Sequence, residues 1–224
     1  MPTYIYCMEA LMVEAIVAYK KKVKQFKFQK ILCKADYLAF LDADRVALGR
    51  KKMNLRAKLK DYIFPDYLWK FERLLRKTEY YGNTKNFNPL RNLYYLFLKL
   101  KFLKLSVKLG LTIPENVFGP GLAIVHYGTI VVNGNSRIGA NCRIHAGTNI
   151  GESGGLQGAP QIGDNVYIGP GAKIYGRIKI ASNTAIAANA CVGKTFIEEH
   201  TLIGGIPAKV LKQEIDMKQI IKHI

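Results

Sequence analysis

A six-residue period runs through the second half of the chain and constrains its fold more than any other feature. Every sixth residue from position 132 to position 192 is Val, Ile or Leu. The series is Val132, Ile138, Ile144, Ile150, Leu156, Ile162, Ile168, Ile174, Ile180, Ile186 and Val192. Because these three residue types make up about a quarter of an ordinary chain, chance does not explain the series. A short internal repeat is typical of solenoid folds.

A period of six fits neither an α-helix, with its 3.6 residues per turn, nor one long strand. It fits a triangular coil in which each unit supplies a short strand with an inward aliphatic side chain, followed by a corner. Three units give a coil of about 18 residues, and coils stack at about 4.8 Å. Small residues for the crowded interior recur four positions after the aliphatic one: Ser136, Cys142, Thr148, Ala172, Thr184 and Ala190.

The repeat changes frame once. Ile197 and Ile203 are six positions apart, but they are displaced by one from the series that ends at Val192. An additional or missing residue in one strand displaces its side chains in this way. We therefore expect a bulge near residues 194–196.

The first half of the chain predicts helices. One begins at Pro65 and ends at Gly82, and another runs from Pro89 to Gly110, each with proline first and glycine last. In the first, the apolar face is Leu68, Phe71 and Leu75. In the second, the stripe predicted to face the core is Leu93, Leu96, Leu100, Leu103 and Val107, and another face carries Lys101, Lys104 and Lys108. That basic face is either solvated or lies on an anionic membrane surface. Residues 4–31 and 35–49 also predict helices.

Charge divides the chain in the same place as the period. The formal net charge is +18, and residues 1–110 hold 24 Lys and Arg against 9 Asp and Glu. We expect a basic α-helical domain over residues 1–110, a β-helix domain over 111–211, and a cap or tail over 212–224 that ends in a short helix. The lysines alternate with a packing pattern, and no nucleic-acid-binding module appears, so nucleic acid is not an expected partner.

The cysteines indicate neither a disulfide framework nor a zinc ribbon. Cys7, Cys33, Cys142 and Cys191 are scattered and include no C-x-x-C pair. The apolar residues 4–19 are interrupted by glutamates and followed by lysines, the reverse of a secretion signal. These features predict a cytoplasmic protein. The basic helices add a second possible location for it, at the inner face of the membrane.

Four runs of sequence carry a family resemblance: GPGLAIVHYGTIVVN, RIHAGTNIG, APQIGDNVYIGPGAKIYG and IGGIPAKV, between Gly119 and Leu211. They resemble the hexapeptide-repeat acyltransferases, and among them the serine acetyltransferase-like branch. The runs ADRVALG and FERLLRKTEYY in the helical half resemble members associated with cell-surface polysaccharide synthesis. The resemblance implies an all-β, left-handed parallel β-helix preceded by an α-helical domain, and an enzyme that transfers acetyl from acetyl-CoA to a hydroxyl group.

The resemblance also implies site residues. His126 matches the family's catalytic histidine by its place in VHYGTIVV, and a neutral imidazole is suited to take the acceptor's proton. His145 lies 19 residues later, about one coil away. It is a second base, an acceptor ligand or a structural histidine.

For acetyl-CoA, the resemblance implies that the pantetheine arm lies against backbone groups around Pro170, Gly171 and Ala188. Lys194 and Lys209 would neutralise the nucleotide phosphates. No metal is expected, because His126, His145, His200 and His223 lack the spacing of the zinc-binding carbonic anhydrases that share this solenoid. His200 and His223 have no motif around them, and we expect both at the surface.

The acceptor is inferred from departures from the family pattern. Serine acetyltransferases carry an Asp before the catalytic histidine and an Arg-His pair before the Pro-x-Ile block, and this chain has Val125, Gly158 and Ala159 there. A second Asp, about fifteen residues before the histidine, aligns with Leu111. Without charged partners for an amino acid, the leading hypothesis is the hydroxyl of a sugar in a surface polysaccharide, held by polar residues. Those polar residues are Asn149, Ser153 and Gln157.

Two alternatives remain at this level: a serine O-acetyltransferase of cysteine biosynthesis, and a non-catalytic trimeric scaffold. In every case we expect a homotrimer. An isolated β-helix would leave an apolar face in water, and the family places its site between neighbouring chains.

Overall fold

The structure is a computed structural model, and it describes residues 29–52, 61, 63–85, 87–155 and 157–221. Three longer helices come first: α1 (Lys34–Ala47), α2 (Tyr67–Asn83) and α3 (Pro89–Leu109). A four-residue helix, α4 (Met217–Ile220), follows the strands. The helix expected over residues 4–31 lies almost entirely outside the described residues, as do Cys7 and His223.

Local sequence sets the ends of α2 and α3. The Asp66 carboxylate accepts hydrogen bonds from the first backbone N–H groups of α2, and Gly110 ends α3 with a φ of 69°. The predicted end at Gly82 is wrong, because α2 continues through Asn83. A Cβ atom at Gly82 would lie 2.9 Å from the ring of Tyr95, so this glycine permits close contact with α3 and does not end α2.

Fourteen short strands in the described residues form three sheets, one on each side of a triangular coil. Sheet A contains β1 (Leu111–Thr112), β3 (Ile130–Val132), β6 (Asn149–Gly151), β9 (Lys173–Tyr175) and β12 (Cys191–Val192). Sheet B contains β4 (Arg137–Ile138), β7 (Gln161–Ile162) and β10 (Lys179–Ile180). Sheet C contains β2 (Ala123–Ile124), β5 (Arg143–Ile144), β8 (Tyr167–Ile168), β11 (Ala185–Ile186), β13 (Leu202–Gly205) and β14 (Ala208–Lys212). All neighbouring strands are parallel except β13 and β14.

The hexad aliphatics fill the interior as predicted. Ten of the eleven lie in described residues, and they are all buried. The small residues four positions further on are buried beside them. The coil therefore closes on a column of aliphatic side chains, which provides the main hydrophobic stabilisation of this half.

The predicted coil of 18 residues is wrong in the middle of the solenoid. Ile144 pairs with Ile168 and Ile150 with Ile174, so these coils span 24 residues. The additional residues lie between β6 and β7, where the described residues form no strand of the coil. Leu156, which the hexad series places here, lies outside the described residues. The reason is local, because the Gly151–Gly155 run offers no inward aliphatic side chain.

The expected frame change after Val192 is confirmed, with a different residue inside. Ile203 pairs with Ile186, only 17 positions away. Phe196 bridges to Ile180 and is buried, whereas Ile197 is half-buried. The ring of Phe196 thus fills the interior position that the hexad pattern assigns to Ile197, one residue later.

The stripe predicted to face the core on α3 is wrong. Leu93, Leu96, Leu100, Leu103 and Val107 are all exposed. The opposite face packs inward through Leu98, Phe102, Leu105 and Leu109, and the ring of Phe102 lies 5.2 Å from that of Phe71 on α2. Because α3 is apolar on both faces, periodicity alone could not select the buried one.

The chain after β13 covers the outside of sheet C. β14 returns antiparallel to β13, and the following residues bring Ile215, Met217 and Ile221 into a small cluster around Ala185. The expected short helix is present as α4. It lies against the side of the solenoid.

A buried ionic network joins the helices to the first coil. Arg76 of α2 is fully buried and forms ion pairs with Asp44 of α1, at 2.7 Å, and with Glu79, at 3.0 Å. Its guanidinium also donates to the backbone carbonyls of Phe118 and Gly119, at 2.9 and 2.6 Å. Burial opposes the charge, but the two carboxylates raise the pKa of Arg76 above its ordinary value.

The carboxylates of this network also accept hydrogen bonds from backbone N–H groups of the first coil. Asp44 accepts from the backbone N–H groups of Gly121 and Leu122, both at 2.8 Å. Glu72 accepts from Ile124 N–H at 2.8 Å, and burial, followed by the charge of Asp44, raises the pKa of Glu72 well above its ordinary value. The helices are therefore attached to the solenoid by charge-assisted hydrogen bonds as well as by apolar packing.

We expect Arg76→Leu to destabilise the protein severely, by about 3–5 kcal/mol, because it leaves Asp44 and Glu79 buried without their cation. Urea denaturation of the full chain measures the change. Arg73→Leu is the matched control on the same helix, since its ion pair with Asp61 is partly exposed and is expected to contribute about 0–1 kcal/mol. Equal midpoints for the two variants would contradict this account of the network.

Candidate active site

The turns that lead from sheet C to sheet A stack into one edge of the solenoid, here called the C–A corner. It consists of residues 126–129, 145–148, 169–172 and 187–190. Backbone hydrogen bonds hold each turn on the next, from Gly147 N–H to Thr129 O (2.7 Å), from Gly171 N–H to Ala146 O (2.9 Å) and from Asn189 N–H to Pro170 O (2.9 Å). Side chains that are distant in sequence are thereby aligned along one line.

The two predicted histidines lie side by side at the first two turns of this corner. The ring centroids of His126 and His145 are 5.8 Å apart, and the ring of Tyr167 lies 5.1 Å from that of His145. His126 is exposed and His145 is half-buried. The two imidazoles and the phenol ring form a continuous surface on which an acceptor could be oriented.

The turn that carries His126 is longer than the others. Val132 lies eight positions after Ile124 on the previous face, instead of six. Val125 N–H still donates to Ile144 O, so the additional length falls after Val125 and projects His126 and Tyr127 outward. The sequence did contain the signal, because the hexad count taken back from Val132 reaches His126 where an aliphatic residue is required.

The surroundings of His145 disfavour the charged form of its imidazole. Burial, followed by the charges of Arg143 and His126, lowers the pKa of His145 below its ordinary value. Its Nε2 atom is buried and has no hydrogen-bond partner among the described residues. A neutral imidazole with an unsatisfied ring nitrogen can act as a proton acceptor or hold a polar group of a bound molecule.

Sequence reasoning missed Arg143, whose charge is, after burial, the next cause of that pKa shift. It lies on β5 two residues before His145, so both side chains point to the same side of the sheet. It is half-buried, beside Tyr167 on the neighbouring strand. The signal was its period-two spacing from His145.

Neither imidazole is paired with a carboxylate in the part of the chain that the structure describes. The position before His126 is Val125, which is half-buried and apolar. The ring contacts of the two histidines are with each other and, for His145, with Tyr167.

Three of the predicted cosubstrate residues continue the same line of turns. Pro170 and Ala188 are exposed and Gly171 is half-buried, one and two coils beyond His145. Gly171 has a φ of 75°, and a Cβ atom there would overlap the side chain of Asn189. The structure thus places a strip of small residues next to the histidine pair.

The two predicted phosphate-binding lysines are separated. Lys209 of β14 pairs with Gly204 of β13. Gly204 lies next to Ala187, in the last turn of the C–A corner, so Lys209 lies near the end of that corner. Lys194 follows β12 at the next corner, between sheets A and B, with its Nζ atom 5.3 Å from the ring of Phe196. Within one chain, Lys209 alone of the two lies near this strip.

The polar residues proposed for the acceptor are also spread out. Asn149 is exposed on sheet A, four residues after His145, whereas Ser153 and Gln157 lie in the loop between β6 and β7 at the following corner. His200 is exposed and contacts the carbonyl of Ile215, so the surface position expected for it is confirmed.

Neither a metal cluster nor a membrane-spanning helix is present among the described residues. They contain no group of three His, Cys, Asp or Glu side chains arranged to hold a metal ion. They also contain no helix with the length and hydropathy needed to cross a bilayer.

Comparison with known proteins agrees with the repeat. Residues 159–194 match the family model for the bacterial transferase hexapeptide (six repeats). Serine acetyltransferase of Staphylococcus epidermidis is 40% identical over 103 residues, which cover 45% of this chain and 48% of the relative. The corresponding enzyme of Staphylococcus aureus is 38% identical over the same length. The chain thus spans about half the length of the curated relatives that it matches.

Solved structures extend the likeness over more of the chain. Serine acetyltransferase of Neisseria gonorrhoeae superposes with a TM-score of 0.59 at 23% identity, covering 83% of this chain and 69% of that one. The soybean apoenzyme gives 0.60 at 21%, covering 80% and 70%. The Brucella abortus enzyme in complex with coenzyme A gives 0.59 at 22%, covering 80% and 69%. The fold is therefore the one expected from the sequence, a left-handed parallel β-helix preceded by helices.

Proposed function

We propose that this protein is an acetyl-CoA-dependent O-acetyltransferase whose active site is the C–A corner. The observation that carries the proposal is the pairing of His126 and His145 at one end of a strip of small residues. The similarity to serine acetyltransferases supports the reaction class, and a coenzyme A complex exists for one of the similar structures.

In the proposed reaction, the imidazole of His126 accepts the proton of the acceptor hydroxyl. The oxygen forms a bond to the thioester carbonyl carbon, the carbon–sulfur bond breaks, and the proton is passed to the leaving thiolate. His145 stays neutral and directs its free Nε2 atom at the acceptor or at His126. The neighbouring ring of Tyr167 restricts how His145 can rotate.

The residues present fit a CoA-type donor. Pro170, Gly171 and Ala188 themselves carry no long or charged side chain, so an extended arm can lie against their backbone, beside the ammonium group of Lys173, which donates to Gly147 O. Lys209, which is exposed near the end of the strip, can pair with a phosphate group. The donor supplies the activated acetyl group, and the chain supplies the surface that aligns it with His126.

L-serine is the first acceptor candidate, because all the relatives and structures named above are serine acetyltransferases. Arg143 offers a partner for the carboxylate of an amino acid beside the histidines. From Val125, Gly158 and Ala159 alone, the sequence offered no cation for a serine carboxylate, and this argued against serine. Arg143 weakens that argument.

A sugar hydroxyl, in a polysaccharide precursor, is the second candidate. One observation favours it: the described residues around His126 and His145 offer a cation but no carboxylate bonded to either ring, so a serine ammonium would lack a partner. A sugar that carries a carboxylate or phosphate would use Arg143 without needing an acidic residue.

We also propose a homotrimer in which a neighbouring chain covers the C–A corner. The exposure of His126 and Tyr127 in one chain supports this, because a proton transfer to His126 is favoured when water is excluded. Lys194, at the next corner, would reach the donor only across such an interface.

We expect His126→Asn to lower turnover by roughly 10²- to 10⁴-fold, because the acceptor loses its general base. The melting temperature should change little, since His126 is exposed. Thiol release at saturating acetyl-CoA measures turnover, and His200→Asn is the matched control at an exposed histidine away from the corner. Near-normal turnover of the His126 variant would remove this residue from the mechanism.

The environment of His145 predicts a pH effect on stability. Its pKa in the folded protein is below the ordinary 6.5, so the unfolded chain binds the proton first as the pH falls. The free energy of unfolding should therefore fall below about pH 6.5, and it should fall less in His145→Gln. Urea midpoints at fixed protein concentration, compared between pH 7 and pH 5, test this. Parallel losses in both proteins would contradict it.

If Arg143 holds the anionic group of the acceptor, Arg143→Gln should raise the KM for L-serine by about tenfold or more. The KM for acetyl-CoA should stay the same, and Arg143→Lys should recover part of the loss. Serine methyl ester, which lacks the carboxylate, should be a poor acceptor for the parent enzyme. Turnover of a neutral sugar with no measurable turnover of L-serine would instead favour the second candidate.

A further inference from the structure

Helix α3 has a second apolar face, which the described residues leave uncovered. Leu93, Leu96, Leu100, Leu103 and Val107, here called the outer stripe, have exposed fractions from 48% to 84%. Leu90 and Phe97 extend the stripe along one edge and are also exposed. The stripe runs most of the length of a 21-residue helix, roughly 30 Å. Contiguous apolar surface of this extent marks an interaction site.

The charges along α3 have one sign. The helix contains Arg91, Lys99, Lys101, Lys104 and Lys108 and no acidic residue. Lys101, Lys104 and Lys108 follow one edge of the outer stripe, because residues three and four apart share a helix face. Lys99, on the other side, is paired with Glu115 at 2.7 Å.

Aromatic rings lie along the same basic edge. The ammonium group of Lys101 lies 4.3 Å from the ring centroid of Phe97, and that of Lys108 lies 4.4 Å from that of Tyr67. Lys77 of α2 lies 5.2 Å from the ring of Tyr94. Lysines and aromatic rings beside an apolar stripe are the arrangement of helices that lie at the surface of a bilayer, where the rings and ammonium groups occupy the headgroup layer.

A second copy of this chain is a poorer occupant of the stripe. The chain has a net charge of +18, and two α3 helices packed face to face would bring two rows of lysines together without any acid on either helix. An anionic lipid surface supplies both the apolar layer and the negative charge.

We propose that the outer stripe of α3 docks this protein on an anionic membrane surface, with Lys101, Lys104 and Lys108 at the headgroups. No residue of the outer stripe belongs to the C–A corner, so the proposal does not depend on the proposed acetyl transfer.

The test is co-sedimentation of the full chain with two kinds of vesicle, one of phosphatidylcholine alone and one containing about one third phosphatidylglycerol. We expect binding to the anionic vesicles and little to the neutral ones, with release as salt rises to about 0.5 M. Equal binding to both vesicles, or to neither, would overturn the proposal.

Variants locate the contact. A triple variant, Leu96→Gln, Leu100→Gln and Leu103→Gln, should lose at least about tenfold in the vesicle partition coefficient, since buried apolar area contributes to interfacial binding. Lys101→Gln, Lys104→Gln and Lys108→Gln together should have a similar effect and should remove the salt dependence. Leu32→Gln with Leu38→Gln is the matched control, because these leucines are exposed outside α3.

Two further measurements separate other occupants of the stripe. Light scattering reports the mass of the parent and the leucine variant without lipid, and a lower mass for the variant would assign the stripe to a second copy. A lower melting temperature for that variant, with no vesicle binding by the parent, would assign it to another part of the same chain. Either result would overturn membrane docking.

Discussion

The buried guanidinium of Arg76 is the interaction on which the arrangement of the two halves depends. Its partners come from both sides: carboxylates of α1 and α2, and backbone carbonyls of the first coil. Beside it, Glu72 binds Ile124 N–H, two residues before His126. Because one strand end connects this network to the turn that carries His126, the helices hold the first turn of the C–A corner in place. The runs ADRVALG and FERLLRKTEYY supply Asp44, Glu72, Arg76 and Glu79, so the structure gives those runs a packing role.

The solenoid could be predicted because its period depends on a local rule, one inward aliphatic side chain for each strand. The same rule predicted that His126 and His145 would be neighbours, and their rings are 5.8 Å apart. It failed between β6 and β7 because a hexad count cannot distinguish a strand from a connecting segment of equal length. The glycines around Leu156 were the better signal, since they leave no side chain to fill the interior.

The helical half was harder to predict, for two physical reasons. α3 is apolar on both faces, and only contact with α2 and the first coil determines which of them is buried. Arg76 and Glu72, four residues apart on α2, have the spacing of an exposed ion pair, and nothing in their sequence shows that both are buried. Arg143 was missed for a similar reason, because its place in the site depends on a neighbour in space, Tyr167 in the next coil, which also contacts His145.

The loop between β6 and β7 has a consequence for how this protein can change. The strands on either side of it pair directly with the coils above and below, so six additional residues leave the registers of Ile150 with Ile174 and of Ile138 with Ile162 intact. A change of length at this point therefore need not displace the turns that carry His126, His145 and Gly171. A segment of this kind can be lengthened, shortened or exchanged during evolution or in the laboratory while the stacked frame is preserved.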